Sequence, residues 1–264
     1  MVPLFDAHVH LDDPRFAADR DALLRAARSR GIKRYLIPGV TAATWDRTLR
    51  VAGEVSGAVA ALGLHPYWIA EHRLADVDAL QARVRSDDTL IAIGECGLDF
   101  FLTALPRRRQ HALFEAQLDL AVQCGLPVIV HARRALDEVI GMLRARPGLR
   151  AQLHGFAGSE QQAARLLDLG ALLSIGGAVT YARAQRLHRI VRAAPMAQLC
   201  LETDAPDQPV AGRQGRRNEP VCLYRVAEAV AQLRGMSTEQ VAAVTTDNVM
   251  RFFAIADDTV SHVG

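Results

Sequence analysis

The chain has 264 residues, 50% of them hydrophobic, and a formal net charge of +2. That length supports one large core, and the near balance of charge excludes the strongly basic surface of a polyanion-coating protein. No run of about 18 apolar residues occurs, which excludes a membrane-spanning helix.

The chain opens on Asp6, His8 and His10, which interrupt any apolar leader, so no signal peptide is expected. Eight β-type runs are predicted at 4–8, 35–38, 59–64, 90–95, 128–131, 151–154, 171–175 and 199–202. Several are continuous apolar segments, as strands covered on both faces require. Helical segments lie between them. The first, 21–30, places Leu23, Leu24 and Ala27 on one face and stops at Gly31. Gly53, Gly125 and Gly170 are read as further helix ends. Ser159 is predicted to cap a helix that runs to Leu169, and Ser237 with Gln240 reads as a capping box opening a last helix toward Phe253. Eight strands, each followed by a helix, predict an α/β fold: a (β/α)₈ barrel, one domain over 1–264. The G-x-G-x-x-G turn of an open doubly wound sheet is absent after the first strand. Cys96, Cys124, Cys200 and Cys222 form no CxxC pair and read as reduced thiols of a cytoplasmic protein with no obligate protein partner.

Barrel enzymes carry their chemistry where strands run into the following loops. Here those positions are polar: Asp6-Ala-His8-Val-His10 after strand one, His65 after strand three, Glu95 and Asp99 around strand four, His131 after strand five, His154 after strand six and Glu202-Thr-Asp204 after strand eight. The chain has nine histidines, and five of them fall at these ends. A lone histidine after an apolar run is usually structural; the joint pattern points to metal ligation. His8 and His10 are two apart on an extended segment, so both rings face one side. Histidine with carboxylate suits Zn²⁺, Mn²⁺ and similar ions. Six candidate ligands (His8, His10, Glu95, His131, His154 and Asp204) exceed the need of one catalytic ion. The natural division gives His8, His10 and Asp204 to one, His131 and His154 to the other, and Glu95 to both. Lys33 is the single lysine and precedes strand two, so a carboxylated-lysine bridge and a Schiff-base mechanism are both excluded.

These motifs together resemble the TatD family of metal-dependent deoxyribonucleases. The resemblance runs from Asp6–His10 through Gly63-Leu64-His65-Pro66, Gly94-Glu95-Cys96-Gly97-Leu98-Asp99, His131-Ala-Arg133 and His154-Gly-Phe156-Ala-Gly158 to Glu202-Thr-Asp204-Ala-Pro206 and Arg216-Arg217-Asn218-Glu219-Pro220. It implies a barrel, two divalent ions (Zn, Mn or Mg) held by the six residues above, and hydrolysis of phosphodiester bonds with DNA or a short oligonucleotide as partner. It places His65 beside the ions, touching substrate phosphate. Asp204 is expected to combine ligation with acceptance of a proton from the attacking water, and Glu95 to act as the bridge. Arg133, two residues past His131, and Arg217, with Arg213 and Arg216 in the segment after strand eight, are the candidate phosphate contacts. Where many members read His-Cys-Phe-Ser-Gly after strand six, this chain has Gly155 and Ala157. Two other functions compete: a two-metal amidohydrolase or lactonase acting on a small molecule, and a non-catalytic binding module, which the intact ligand set argues against.

Overall fold

The computed structural model describes residues 3–256 of the chain. Eight parallel strands form one sheet in sequential order. They are β1 (Leu4–Asp6), β2 (Ile32–Pro38), β3 (Ala58–Leu62), β4 (Leu90–Asp99), β5 (Val128–Arg133), β6 (Ala151–Leu153), β7 (Leu172–Ile175) and β8 (Leu199–Leu201). The last strand returns to the first: Ala7 donates its N–H to Leu201 O at 2.9 Å and Asp204 donates to His8 O at 2.9 Å. The predicted (β/α)₈ architecture is therefore the observed one.

Helices α1 (Arg20–Ser29), α2 (Trp45–Glu54), α3 (Ala75–Ser86), α4 (Arg107–Cys124), α5 (Leu136–Arg144), α6 (Glu160–Asp168), α7 (Gln185–Ala193) and α8 (Leu223–Arg234) surround the sheet. The last helix, α9 (Thr238–Phe252), lies across the N-terminal end of the barrel, where Thr246 Oγ1 accepts Phe5 N–H at 3.1 Å. None of these helices is long and apolar enough to cross a membrane. The capping box predicted at Ser237/Gln240 is formed, and Ser159, predicted as a cap, forms a second box with Gln162. Gly31, Gly125 and Gly170 end their helices with positive φ. Gly53 does not: it lies inside α2, and the left-handed residue of that turn is Gly57, whose backbone presses against the Lys33 carbonyl. Ladder packing against β2, rather than helix capping, selects that glycine.

Two apolar layers hold the barrel. Inward-facing Phe5, Leu36, Ala61, Ala92, Ile129, Leu172 and Cys200 fill its interior, with Val249 of α9 and Phe253 at its C-terminal end beneath them. The outward faces of the strands pack on the helices as a second, larger cluster. Burial on both faces is why the strands read as unbroken apolar runs.

Strand β4 runs four residues beyond the predicted end, to Asp99, because it stays paired with β5 from Cys96↔Val130 to Asp99↔Arg133. Gly97 permits this. Its φ is +141°, and a Cβ there would be driven into the His131 carbonyl. Gly97→Ala is expected to cost about 1–3 kcal/mol, the usual strain at a glycine-only conformation. Equilibrium denaturation measures it, and a fully stable variant would show that β4 and β5 can separate at no cost.

Candidate metal centre

The C-terminal ends of the strands deliver the six candidate ligands to one place. His8 and His10 lie just past β1 on a segment that remains paired, with His10 N–H donating to Ala205 O at 2.8 Å. Glu95 and His131 lie within β4 and β5, and His154 directly follows β6. Asp204 leaves β8 with φ +53°, a left-handed conformation that Asp tolerates better than most residues.

Glu95 is the centre of the arrangement, 2% exposed. Its Oε2 faces His8 Nε2 at 3.1 Å and His10 Nε2 at 3.6 Å. Asp204 Oδ1 stands 3.6 Å from His8 Nε2 and 3.4 Å from His10 Nε2, closing that group. Glu95 Oε1 faces His154 Nε2 at 2.8 Å, His65 Nε2 at 3.0 Å and His131 Nδ1 at 3.3 Å. One carboxylate thus presents a separate oxygen to each of two groups of nitrogen donors. A carboxylate oxygen has two lone pairs, so three ring nitrogens around Oε1 cannot all be satisfied by protons donated to it. Such a crowding of electron-pair donors fits cations.

The field of the site is negative. Burial opposes charge on His10, but hydrogen bonding to Asp204 and the charges of Glu95 and Asp204 outweigh it and lift His10 to about 9. His154 is raised despite burial, by Glu95 and Glu202, and His131 by its bonds to Asp99 and Glu95. Burial likewise disfavours the charged form of Asp204, yet the His10 hydrogen bond and the nearby histidines pull it well below the ordinary carboxylate range. Burial dominates at His65 and lowers it to about 4, so that ring is neutral.

The tautomers separate the histidines. Asp99 Oδ2 sits 3.1 Å from His131 Nε2, which keeps its proton there; once the raised ring gives up its second proton, Nδ1, which faces Glu95 at 3.3 Å, is the lone pair open to a cation. Glu202 Oε1 lies 3.7 Å from His154 Nδ1, beyond hydrogen-bond reach, while His154 Nε2 faces Glu95 Oε1 at 2.8 Å. His65 is the opposite case. Its Nδ1 accepts the Tyr67 N–H at 3.0 Å, so the neutral ring carries its proton on Nε2 and donates.

Supporting residues set these positions. Asp99 orients His131, and Glu202 places a negative charge beside His154 while accepting the Gly155 N–H at 2.5 Å. Two buried glutamines of α4 clamp the strand exits. Gln117 bonds Leu64 N and O at 2.8 and 3.2 Å, just before His65. Gln110 bonds Asp99 N and O at 2.8 and 3.0 Å. They lie seven apart, two helical turns, hence on one face. Asp6, held at about 8 chiefly by burial, accepts Thr203 N–H and Oγ1–H at 2.9 and 2.6 Å and braces the loop that carries Asp204. Gln208 Nε2 donates to Asp204 Oδ2 at 2.6 Å. That leaves Oδ1 as the oxygen facing His8 and His10.

The family profile of TatD related DNases matches residues 5–254. The chain belongs to this family. A TatD-family structure, YjjV of Escherichia coli K12, superposes with TM-score 0.92 at 35% identity, covering 97% of this chain and 100% of that one. In sequence the same protein, described as an uncharacterized metal-dependent hydrolase, is 36% identical over 252 residues, covering 95% of this chain and 97% of its own. The 3'-5' ssDNA/RNA exonuclease TatD of Klebsiella pneumoniae (strain 342) is 34% identical over 261 residues, covering 96% and 98%. The chain is a metal-dependent hydrolase of the TatD family, and the donor set described above suits that dependence.

Above the TatD site opens a cavity of about 830 Å³, lined by His10, His65, Glu95, His131, His154 and Asp204 among others. Arg133 lines it, stacked 3.6 Å over the Phe101 ring. Arg217 does not. Its guanidinium bonds Asp19 at 2.5 and 3.1 Å and the Arg15 carbonyl at 2.5 Å, tying the loop after β8 to the loop after β1. Arg213 pairs with Glu219 at 2.9 Å. Both arginines serve loop architecture because acidic partners lie closer than the cavity. Of the histidines given no role, His72 bonds the His65 carbonyl at 2.9 Å and so supports the site, His111 pairs with Glu138 at 2.5 Å, and His188 bonds the Val179 carbonyl at 2.9 Å. His262 lies outside the described residues. Sequence reasoning missed Gln110, Gln117, Gln208 and Glu202 as supports. A polar residue on the apolar face of a helix was the available signal for the two in α4.

Proposed function

We propose that this chain is a nuclease that hydrolyses phosphodiester bonds of DNA, with two divalent ions seated on the two sides of Glu95. The observation that carries this reading is the division of Glu95: Oε2 shared with His8, His10 and Asp204, and Oε1 with His131 and His154. The ions would supply Lewis acidity and activate water near neutral pH.

The side chains do the rest. Asp204, ionised at all working pH values, offers Oδ1 as a proton acceptor on the face of the cavity, while Gln208 holds its other oxygen and fixes the plane of the carboxylate. His65 keeps its proton on Nε2 and directs it at the centre, where it can donate to a non-bridging phosphoryl oxygen as negative charge accumulates. That assignment rests on its Nδ1 being occupied by the Tyr67 N–H. Arg133, with no ion pair among the described residues, is the cation available to a second phosphate.

Chelator-stripped protein is expected to be inactive and to regain cleavage of end-labelled single-stranded DNA on addition of Mn²⁺. His10 must give up its proton to act as a ligand, so Mn²⁺ affinity should weaken as pH falls below about 9. Proton release measured by calorimetry in buffers of different ionisation enthalpy checks the sign. Protein that takes up Mn²⁺ yet hydrolyses lactones and leaves DNA intact would replace the nuclease reading with the small-molecule one.

A further inference from the structure

The chain exposes only three of its large aromatic side chains among the described residues: Tyr67 (53%), Trp68 (40%) and Phe101 (41%). All three gather at the mouth of one cavity. Tyr67 and Trp68 line it directly, and Phe101 lies beneath the Arg133 guanidinium that lines it. Exposed aromatic surface has an unfavourable contact with water, so its concentration at one opening calls for a ligand.

The pair Tyr67–Trp68 is held in register with the chemistry. The two residues form a short 3₁₀ turn starting at Pro66, immediately after His65. Tyr67 N–H is bonded to the His65 ring, and the Trp68 N–H donates to the His65 carbonyl at 3.1 Å. The Tyr67 and Trp68 rings meet edge to face, with centroids 5.1 Å apart, so Tyr67 props the indole. A group resting on Trp68 therefore sits a fixed few residues from the His65 Nε2–H. Nothing in this turn can read base edges by a set of directed hydrogen bonds. A flat π surface beside a phosphate-directed donor fits a nucleobase of any identity, provided it is unpaired.

Resting on the nuclease reading above, we propose that Trp68 is a base-stacking platform that holds an unpaired nucleobase next to the scissile phosphate. It selects single strands without selecting sequence. The Arg133–Phe101 stack on the β5 side receives the neighbouring backbone.

The test uses Mn²⁺-loaded protein and two substrates of equal charge: (dT)₅ and a pentamer with abasic tetrahydrofuran residues. Wild type is expected to favour (dT)₅ in kcat/KM by roughly tenfold, the size of one base stacked on an aromatic ring. Trp68→Ala should bring that ratio close to unity, mainly through KM, and Trp68→Phe should keep most of it. Trp45 is buried, so quenching of the exposed Trp68 emission by (dT)₅ and not by the abasic pentamer gives a second readout. A wild type with no preference, or a Trp68→Ala protein that retains it, overturns the platform while leaving the nuclease reading intact. A wild type that cuts neither pentamer overturns both.

Discussion

With two ions flanking Glu95 as proposed, Glu95→Ala is expected to remove both and to lower kcat by roughly 10³-fold or more, the several kcal/mol that bound ions supply to a developing charge. The basis is geometric. Glu95 places its two oxygens 2.8–3.6 Å from five imidazole nitrogens drawn from both groups, whereas Glu202 comes within 4.8 Å of one nitrogen of His8 and one of His154. Asp204 meets only the His8–His10 side, and Asp99 is spent on His131 Nε2. The single lysine cannot compensate: Lys33 is exposed on β2, near its N-terminal end and so at the opposite end of the barrel from the site. Alanine also leaves the buried histidines without their common counter-charge, so cations and protonated rings are both disfavoured there. Metal content per chain, measured by plasma mass spectrometry alongside kcat, decides the matter. Retention of one full equivalent would show that the two seats are independent and that Glu95 does not bridge them.

Asp204→Asn should separate holding a cation from accepting a proton. Asparagine keeps an oxygen that can face His8 and His10, while its amide nitrogen turns toward Gln208. The Gln208 side chain now donates to Asp204 Oδ2 at 2.6 Å. Flipping the Gln208 amide presents its own oxygen instead, so the pair can be re-formed and the fold kept. Metal content is expected to stay near that of the wild type. The turnover number should drop by roughly 10²-fold or more, the usual size of lost general-base catalysis. A variant with normal metal content and near wild-type cleavage would remove Asp204 from the base role and leave it a ligand. Asp204 is ionised well below neutral pH, so the wild-type rate should not fall on its account until strongly acidic conditions.

The eight strands and the identity of the rim residues were legible from the chain alone. Strands buried on both faces must be apolar throughout, so each polar residue that ends such a run stands out, and barrel topology sends every such end to the same side. His8, His10, Glu95, His131, His154 and Asp204 were found by this rule without knowledge of a single distance. Helix ends marked by side-chain chemistry, such as Ser237 with Gln240, were equally legible, because a cap is a local interaction.

Long-range packing decided the rest. Gly53 looked like a helix end, but contact between the α2–β3 turn and the Lys33 carbonyl made Gly57 the left-handed residue. Strand β4 looked complete at Glu95, but its ladder with β5 carried it to Asp99 and so aimed that carboxylate at His131. Arg217 looked like a phosphate contact, but Asp19, distant in sequence, claimed its guanidinium. The role of His65 turned on one backbone N–H from Tyr67, and the freedom of Asp204 on Gln208. Sequence determined which chemical groups reach the rim, because strand periodicity is local. Only the tertiary structure decided which partner each group meets there, because hydrogen bonds and ion pairs are settled by distance in space between segments far apart in the chain.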